Sequence, residues 1–430
     1  MPIDLVLDVE KDDGSFNVTL SNVLRDRAIR DTIQRVHLKS RDPFLLSSII
    51  SSLTANPKEP RSTSMESLIL QVEGGRLVNV SDFLAHYNFP KLRRLELFNC
   101  KVSSWNLIPS LTPALTTLDL NFKGFWSSDN PTTSQLLLIL ASYPTLQKVS
   151  LSWLDDLDDG GGDSDDGSGD PSPQVQLHHL RELKLHGSSP DVFELLGRLD
   201  HPRHMDHLVI NLENCAVEDI LQTIGPYLRD YLSNRGRSQN GLGLSLTLSS
   251  SDIIKLQISD AGGVDFSAPV PATVNTFMTF TIELYLDHAQ DQVDQVILDL
   301  IAHAPREEVV YFRVYDEPVA MEDISTQFPN LRGLHFEKTP LTAAFPKSNF
   351  DGDGGVFPSL EYVLLDWVYV DDGDWSSLTT SLDRRASSGN PLHTLVMIGT
   401  YYVAPSVLRS LKDVVREFKH GIFVGSTLRD

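Results

Sequence analysis

The densest group of residues able to bind or activate anything is His201-x-x-His204-x-x-His207 with Asp200 and Asp206, within a stretch holding six of the thirteen histidines. Imidazole and carboxylate together suit a divalent transition metal. Three-residue steps, however, drift around a helix axis and no cysteine joins them, so the reading adopted is a solvated connection into a strand near Leu208–Leu212, with no metal. Asp163-Ser-Asp165-Asp166-Gly167 and Asp351-Gly-Asp353-Gly-Gly355 have clustered oxygen donors of the kind that hold calcium. Their sixth positions are Ser168 and Val356 instead of glycine, and their twelfth are Gln174 and Tyr362 instead of glutamate, which makes them acidic loops. Gly241-Leu-Gly243 lacks the third glycine of a dinucleotide fingerprint, and no phosphate-loop, nucleophile-elbow or zinc-protease string occurs. No catalytic residue and no cofactor is assigned, and the chain is not expected to be an enzyme.

Charge and composition narrow the remaining classes. With 58 Asp and Glu against 36 Lys and Arg, the net charge of -22 opposes a phosphate backbone, so nucleic acid is not an expected partner. Only Cys100 and Cys215 occur, too few for a disulfide framework or a four-cysteine zinc site. The start, MPIDLVLDVEKDD, is acidic where a secretory signal is basic, and no stretch approaches the roughly 20 apolar residues of a spanning helix. The expected location is cytoplasmic or nuclear, without membrane contact.

The elements that would position any binding residues come from an internal repeat. The string L-x-x-L-x-L returns at Leu92-Leu95-Leu97, Leu115-Leu118-Leu120, Leu146-Val149-Leu151 and Leu180-Leu183-Leu185, at steps of 23, 31 and 34 residues. It appears again at Leu331-Leu334-Phe336, Leu360-Val363-Leu365 and Leu392-Leu395-Met397, at steps of 29 and 32. Weaker copies stand at Ile33, Met65, Phe277 and Val309. Each copy predicts a short strand whose apolar side is buried only when a neighbouring repeat stacks on it. Residues 42–54, 133–143 and 292–304 carry apolar stripes at helical spacing and supply return helices. Cys100 and Cys215 fall three residues after Leu97 and Leu212, at the Asn/Cys turn position of such repeats, which predicts structural thiols.

The expected fold class is therefore α/β, an irregular leucine-rich-repeat solenoid over 1–430 with a curved parallel sheet and helices on its convex side. Three local features interrupt it. The tract 155–170 has eight aspartates with Gly and Ser and is expected to be a disordered insertion. Alternating apolar residues over 242–260 predict an inserted hairpin. Val407, Leu411, Val414 and Phe418 predict a capping helix over 405–420, ended by Gly421.

An aromatic-Pro pair introduces several copies: Phe89-Pro-Lys-Leu92, Tyr143-Pro-Thr-Leu146, Phe328-Pro-Asn-Leu331 and Phe357-Pro-Ser-Leu360. In this the chain resembles the repeat region of fungal F-box and leucine-rich-repeat proteins. That resemblance implies an amino-terminal F-box docking on a ubiquitin-ligase adaptor, with the repeats selecting the substrate. No F-box precedes Met1-Pro-Ile-Asp-Leu-Val-Leu-Asp, which resembles the link that follows one, so adaptor binding is expected only if an F-box lies upstream.

Strands in this register present their non-leucine positions on a concave face, the place expected to bind a protein partner. The residues assigned to that contact are Arg94, Glu96, Lys148, Lys184, His335, Tyr362, Leu364 and Val396. Tyr362, Leu364, Val396 and Ile398 are the expected exposed anchors, because rigid apolar groups fill partner pockets. The competing reading folds the 405–420 tail back over them.

Overall fold

The computed structural model describes residues 3–9, 32–54, 61–73, 77–122, 130–154, 174–200, 205–215, 220–234, 242–249, 253–260, 278–286, 293–315, 321–341, 357–368, 374–399, 403–424 and 427–429. These fall into two units, Met1–Leu212 and Glu213–Asp430. The tract 155–170 and His201 and His204 lie outside the described residues.

In the first unit the strands are β1 (Ile3–Val9), β2 (Ile33–Ser40), β3 (Ser67–Val72), β4 (Arg94–Phe98), β5 (Thr117–Asn121), β6 (Lys148–Leu154) and β7 (Glu182–Ser188). Each pairs in parallel with the next. The registers place like on like: Leu68, Leu95, Leu118, Val149 and Leu183 form one row, and Leu70, Leu97, Leu120, Leu151 and Leu185 the next. Every residue of both rows is buried. Alternation is the cause: successive side chains point to opposite faces, so spacing by two puts both leucines inside. Parallel strands need a crossover. Helices α1 (Pro43–Thr54), α2 (Ser81–His86), α3 (Thr133–Ala141) and α4 (Ser189–Gly197) supply part of it. The start of α3 is fixed by a capping box between Thr132 and Gln135, and Leu136, Leu137, Ile139 and Leu140 form its buried side.

The aromatic-Pro pairs are turns. The amide N–H groups of Leu92, Leu146, Leu331 and Leu360 donate to the carbonyls of Phe89, Tyr143, Phe328 and Phe357 at 3.1–3.2 Å. Proline at the second turn position presets φ, and the preceding ring is buried in each case. At the far end of the strands the chain turns through left-handed backbone at Asn99, Lys338, Trp367 and Gly399. The N–H groups of Asn99, Lys338 and Trp367 donate to the last strand residue of the following repeat, for example Trp367 to Ile398 at 2.9 Å, and that of Gly399 donates to the carbonyl of Gly421. Gly399 has a further reason to be glycine, since a Cβ there would stand 2.6 Å from the Trp367 indole.

Strand β8 (His207–Cys215) carries the chain from the first unit into the second, which contains β9 (Leu242–Ser249), β10 (Ile253–Asp260), β11 (Met278–Leu286), β12 (Val309–Tyr315), β13 (Gly333–Glu337), β14 (Tyr362–Asp366), β15 (Thr394–Ile398), β16 (Glu417–Val424) and β17 (Thr427–Arg429). Strands β9 and β12 through β16 pair in parallel in that order. Strand β10 runs antiparallel to both β9 and β11, so β11 keeps the direction of β9. Helices α5 (Gly225–Asn234), α6 (Val293–Ala302), α7 (Met321–Gln327), α8 (Asp374–Ser387) and α9 (Pro405–Val414) complete it. Arg385 of α8, buried, donates to the carbonyls of Phe357 and Leu360 at 2.8 and 2.9 Å, tying the helix to an aromatic-Pro turn.

One expected element is corrected. The helix assigned to 405–420 stops at Val414, and residues 417–420 belong to β16, paired with β15 so that Phe418 lies opposite Leu395 and Gly421 opposite Ile398. The exposed edge of β15 carries backbone donors and acceptors that a helix cannot satisfy and a strand can.

Leu118, 1% exposed at the centre of its row, is the residue on which the register is most simply tested. Leu118→Ala should lower the unfolding free energy by about 2–5 kcal/mol, because the flanking leucines cannot collapse into the space left. Urea denaturation checks this; a loss near zero would mean that this row is not packed as described.

Candidate functional site

Four consecutive strands of the first unit build a groove of about 330 Å³. Because the leucines of β4 to β7 point inward, the residues between them share the other face in two rows. One is Arg94, Thr117, Lys148 and Glu182; the other is Glu96, Asp119, Ser150 and Lys184. All eight line the groove. Four of the residues assigned from sequence, Arg94, Glu96, Lys148 and Lys184, thus come together, and Asp119 at the centre joins them.

Two of the charge pairs there are satisfied internally. Arg94 Nη2 lies 2.6 Å from Glu96 Oε1, and Lys148 Nζ 2.6 Å from Glu182 Oε1. Asp119 and Lys184 differ. Burial raises the Asp119 carboxyl above its ordinary value, the Ser150 hydroxyl donating to it lowers it, Glu96 raises it, and Lys184 and Arg94 lower it, with a net upward shift. Lys184 is exposed and reaches no carboxylate within ion-pair distance among the described residues. The groove therefore offers a desolvated carboxylate and, two strands along the same row, an exposed ammonium that acts on it electrostatically.

In the second unit the corresponding rows are Tyr311, Gly333, Tyr362, Thr394 and Glu417, then Arg313, His335, Leu364, Val396 and Lys419, then Tyr315, Glu337, Asp366, Ile398 and Gly421. The register expected from sequence is thus observed, but the exposure is not. Tyr362, Leu364, Val396 and Ile398 are 0%, 1%, 0% and 5% exposed and form one buried cluster. Their assignment as exposed anchors is corrected: the physical reason lies in β14 (YVLLD) and β15 (TLVMI), whose apolar residues on both sides mark strands covered on both faces. Replacing Tyr362 or Leu364 would alter a core, not a binding surface.

His335, also assigned to the partner contact, is 9% exposed. Its Nδ1 lies 3.0 Å from the Tyr311 hydroxyl, and its Nε2 lies 3.9 Å from Glu337 Oε2 and 3.9 Å from Asp366 Oδ2. Arg313 Nη2, on a partly exposed side chain, pairs with Glu337 Oε2. Burial holds the His335 imidazole below its ordinary value; Asp366 raises it, Arg313 lowers it, and Glu337 raises it, leaving it lowered overall. Sequence reasoning placed no metal ligands here. The signal existed, since Glu337 is two residues from His335 on one strand face and Asp366 opposes Glu337.

Among the described residues of the histidine-rich stretch, His178 and His179 are exposed and His207 is half-buried at the start of the strand His207–Cys215. Cys100 and Cys215 are buried free thiols. Burial pushes the Cys100 thiol up to about 12, so it stays protonated and inert, as its turn position implies. No helix among the described residues is long and apolar enough to cross a membrane. No protein-family model matches the chain, and no curated protein matches it significantly.

Asp119 gives the groove a pH signature. Because its folded pKa is raised, the wild type binds that proton more tightly than the unfolded chain, whose carboxyl titrates near about 3.9. The resulting stability is present below that value and is lost as pH rises through the folded pKa. Asp119→Asn, which mimics the neutral form, should therefore be more stable than wild type to urea at pH 7, with the difference shrinking toward pH 4. A variant less stable than wild type at pH 7 would contradict the account of a desolvated carboxylate.

Proposed function

We propose that this chain is a protein-recognition scaffold of the leucine-rich-repeat type, without chemistry of its own, and that the first unit reads its partner through the charged groove on the concave face. The fold reading is supported by superposed leucine rows on parallel strands, with return helices and a recurring left-handed turn. The functional reading rests on one observation: Asp119 and Lys184 stand in one row, two strands apart on either side of Ser150, in a groove whose other charged residues are paired. Strand residues fixed by a packed core lose little entropy on binding, which favours contacts made from this face.

The matching ligand is an extended polypeptide segment carrying one basic and one acidic side chain. The basic group would recover the solvation that Asp119 has lost, and the acidic group would meet Lys184. Selection of random peptides on the immobilised full chain tests this. Enriched peptides should carry both charges and bind more weakly as salt rises. They should lose about 10-fold or more in affinity to Asp119→Asn or Lys184→Ser, the scale of one charge-assisted hydrogen bond. Peptides that bind both variants as tightly as wild type would refute the assignment of the groove.

A further inference from the structure

The geometry points to a divalent metal site in the second unit, formed by His335 Nε2, Glu337 and Asp366 and suited to a borderline ion of the Zn2+ class. Strand pairing brings the three groups together: His335 and Glu337 sit two apart on β13, and Asp366 lies opposite Glu337 on β14. Their ligand atoms all lie within 4.8 Å of one another. With metal bonds of about 2.0–2.2 Å, tetrahedral ligands stand roughly 3.3 Å apart. The observed 3.9 Å from His335 Nε2 to each carboxylate closes to that by a modest rotation of the two carboxylates.

A second observation marks this cluster as more than acidic groups near a histidine. His335 Nε2 and Asp366 Oδ1 are both buried, and among the described residues neither has a partner within hydrogen-bond distance, the nearest carboxylate oxygen to Nε2 standing at 3.9 Å. Buried polar atoms are normally satisfied, and these two belong to the same small cluster. With Nδ1 protonated, that nitrogen donates to the Tyr311 hydroxyl oxygen and leaves the Nε2 lone pair facing the carboxylates. This is the outer-sphere arrangement that orients a metal-bound imidazole. Burial favours the neutral ring, which is the form that ligates.

The donor set selects the ion. One imidazole with two carboxylates suits Zn2+, Co2+, Mn2+ or Fe2+, whereas Mg2+ and Ca2+ take oxygen ligands and Cu(I) takes sulfur. Arg313 pairs with Oε2 of Glu337, the same oxygen that stands 3.9 Å from His335 Nε2, so the ion would share that oxygen with the guanidinium or draw the carboxylate round to offer Oε1. The two carboxylates and one guanidinium carry a net charge of one negative, which a dication reverses without extreme charge. Three protein ligands leave at least one position for water or an outside donor. The inference is independent of the recognition groove in the first unit.

The test uses the full chain, free of affinity tags and stripped with chelator. Co2+ is titrated by its visible d–d absorption, and Zn2+ by competition with a chromophoric chelator, on wild type, His335→Gln and Asp366→Asn. Wild type should take up one equivalent of either ion, unaffected by excess Mg2+. Each variant should bind at least ~100-fold more weakly, at or beyond the upper limit of the ~10–100-fold typical of outer-sphere changes. Circular dichroism monitors folding; if His335→Gln does not fold, the near-isosteric Asp366→Asn and the wild-type Co2+ spectrum carry the decision. No saturable uptake by wild type, or uptake undiminished in Asp366→Asn, overturns the proposal.

Discussion

A strand with leucines at alternate positions and bare backbone edges is satisfied only by a neighbour carrying the same spacing, and everything else in each unit follows from that constraint. The leucines of one repeat close the core of the next, and the ladder bonds pass from strand to strand beyond the strand ends, from Thr117 to Arg93, Lys148 to Thr116 and Glu182 to Gln147 in the first unit. An isolated copy would leave both its apolar face and its backbone unpaired. The segments between strands vary in length and in kind because only their two ends are constrained, at the aromatic-Pro turn and at the left-handed turn.

The same frame yields two different faces. Where the positions between the leucines are charged, as in β4 (RLELF) and β5 (TLDLN), the face stays accessible and gathers into a groove. Where they are apolar, as in β14 and β15, the face is closed, and the polar residues left among the apolar ones are pressed together. His335, Glu337 and Asp366 are such residues. An exposed charged groove and a half-buried polar cluster are thus two outcomes of one alternation, decided by the residue type placed at the non-leucine positions.

Much of this was legible in the sequence. Leucine spacing specifies which residues share a row, because a one-residue slip would expose every leucine, and the rows inferred from Leu95, Leu118, Val149 and Leu183 are the rows observed. Exposure was harder to read. Tyr362 and Leu364 stand at face positions, yet burial depends on what packs over the face, and the local clue was the unbroken apolar run instead of the register. The carboxyl-terminal strand was hidden because Phe418 continues the helical spacing of Leu411 and Val414, while the choice between helix and strand was made by the open edge of β15. The register puts Asp119 on the presented face with Thr117 and Asn121, but its desolvation is a property of the assembled groove and carries no signal in the sequence. The aromatic-Pro pairs, which carry the family resemblance, are turn elements, so the resemblance speaks to the repeat and not to the site.

The same leucine spacing presents an open face in the first unit and a closed one in the second. Thiol labelling measures it directly, since Cys100 and Cys215 are buried and leave a low background. Lys148→Cys and Val396→Cys occupy face positions in the two units, the first exposed and the second 0% exposed in the wild type. Under native conditions the cysteine at 148 should react with a maleimide about as fast as in denatured chain, and the cysteine at 396 should resist until denaturant unfolds the second unit. Equal, rapid labelling at both positions would contradict the account.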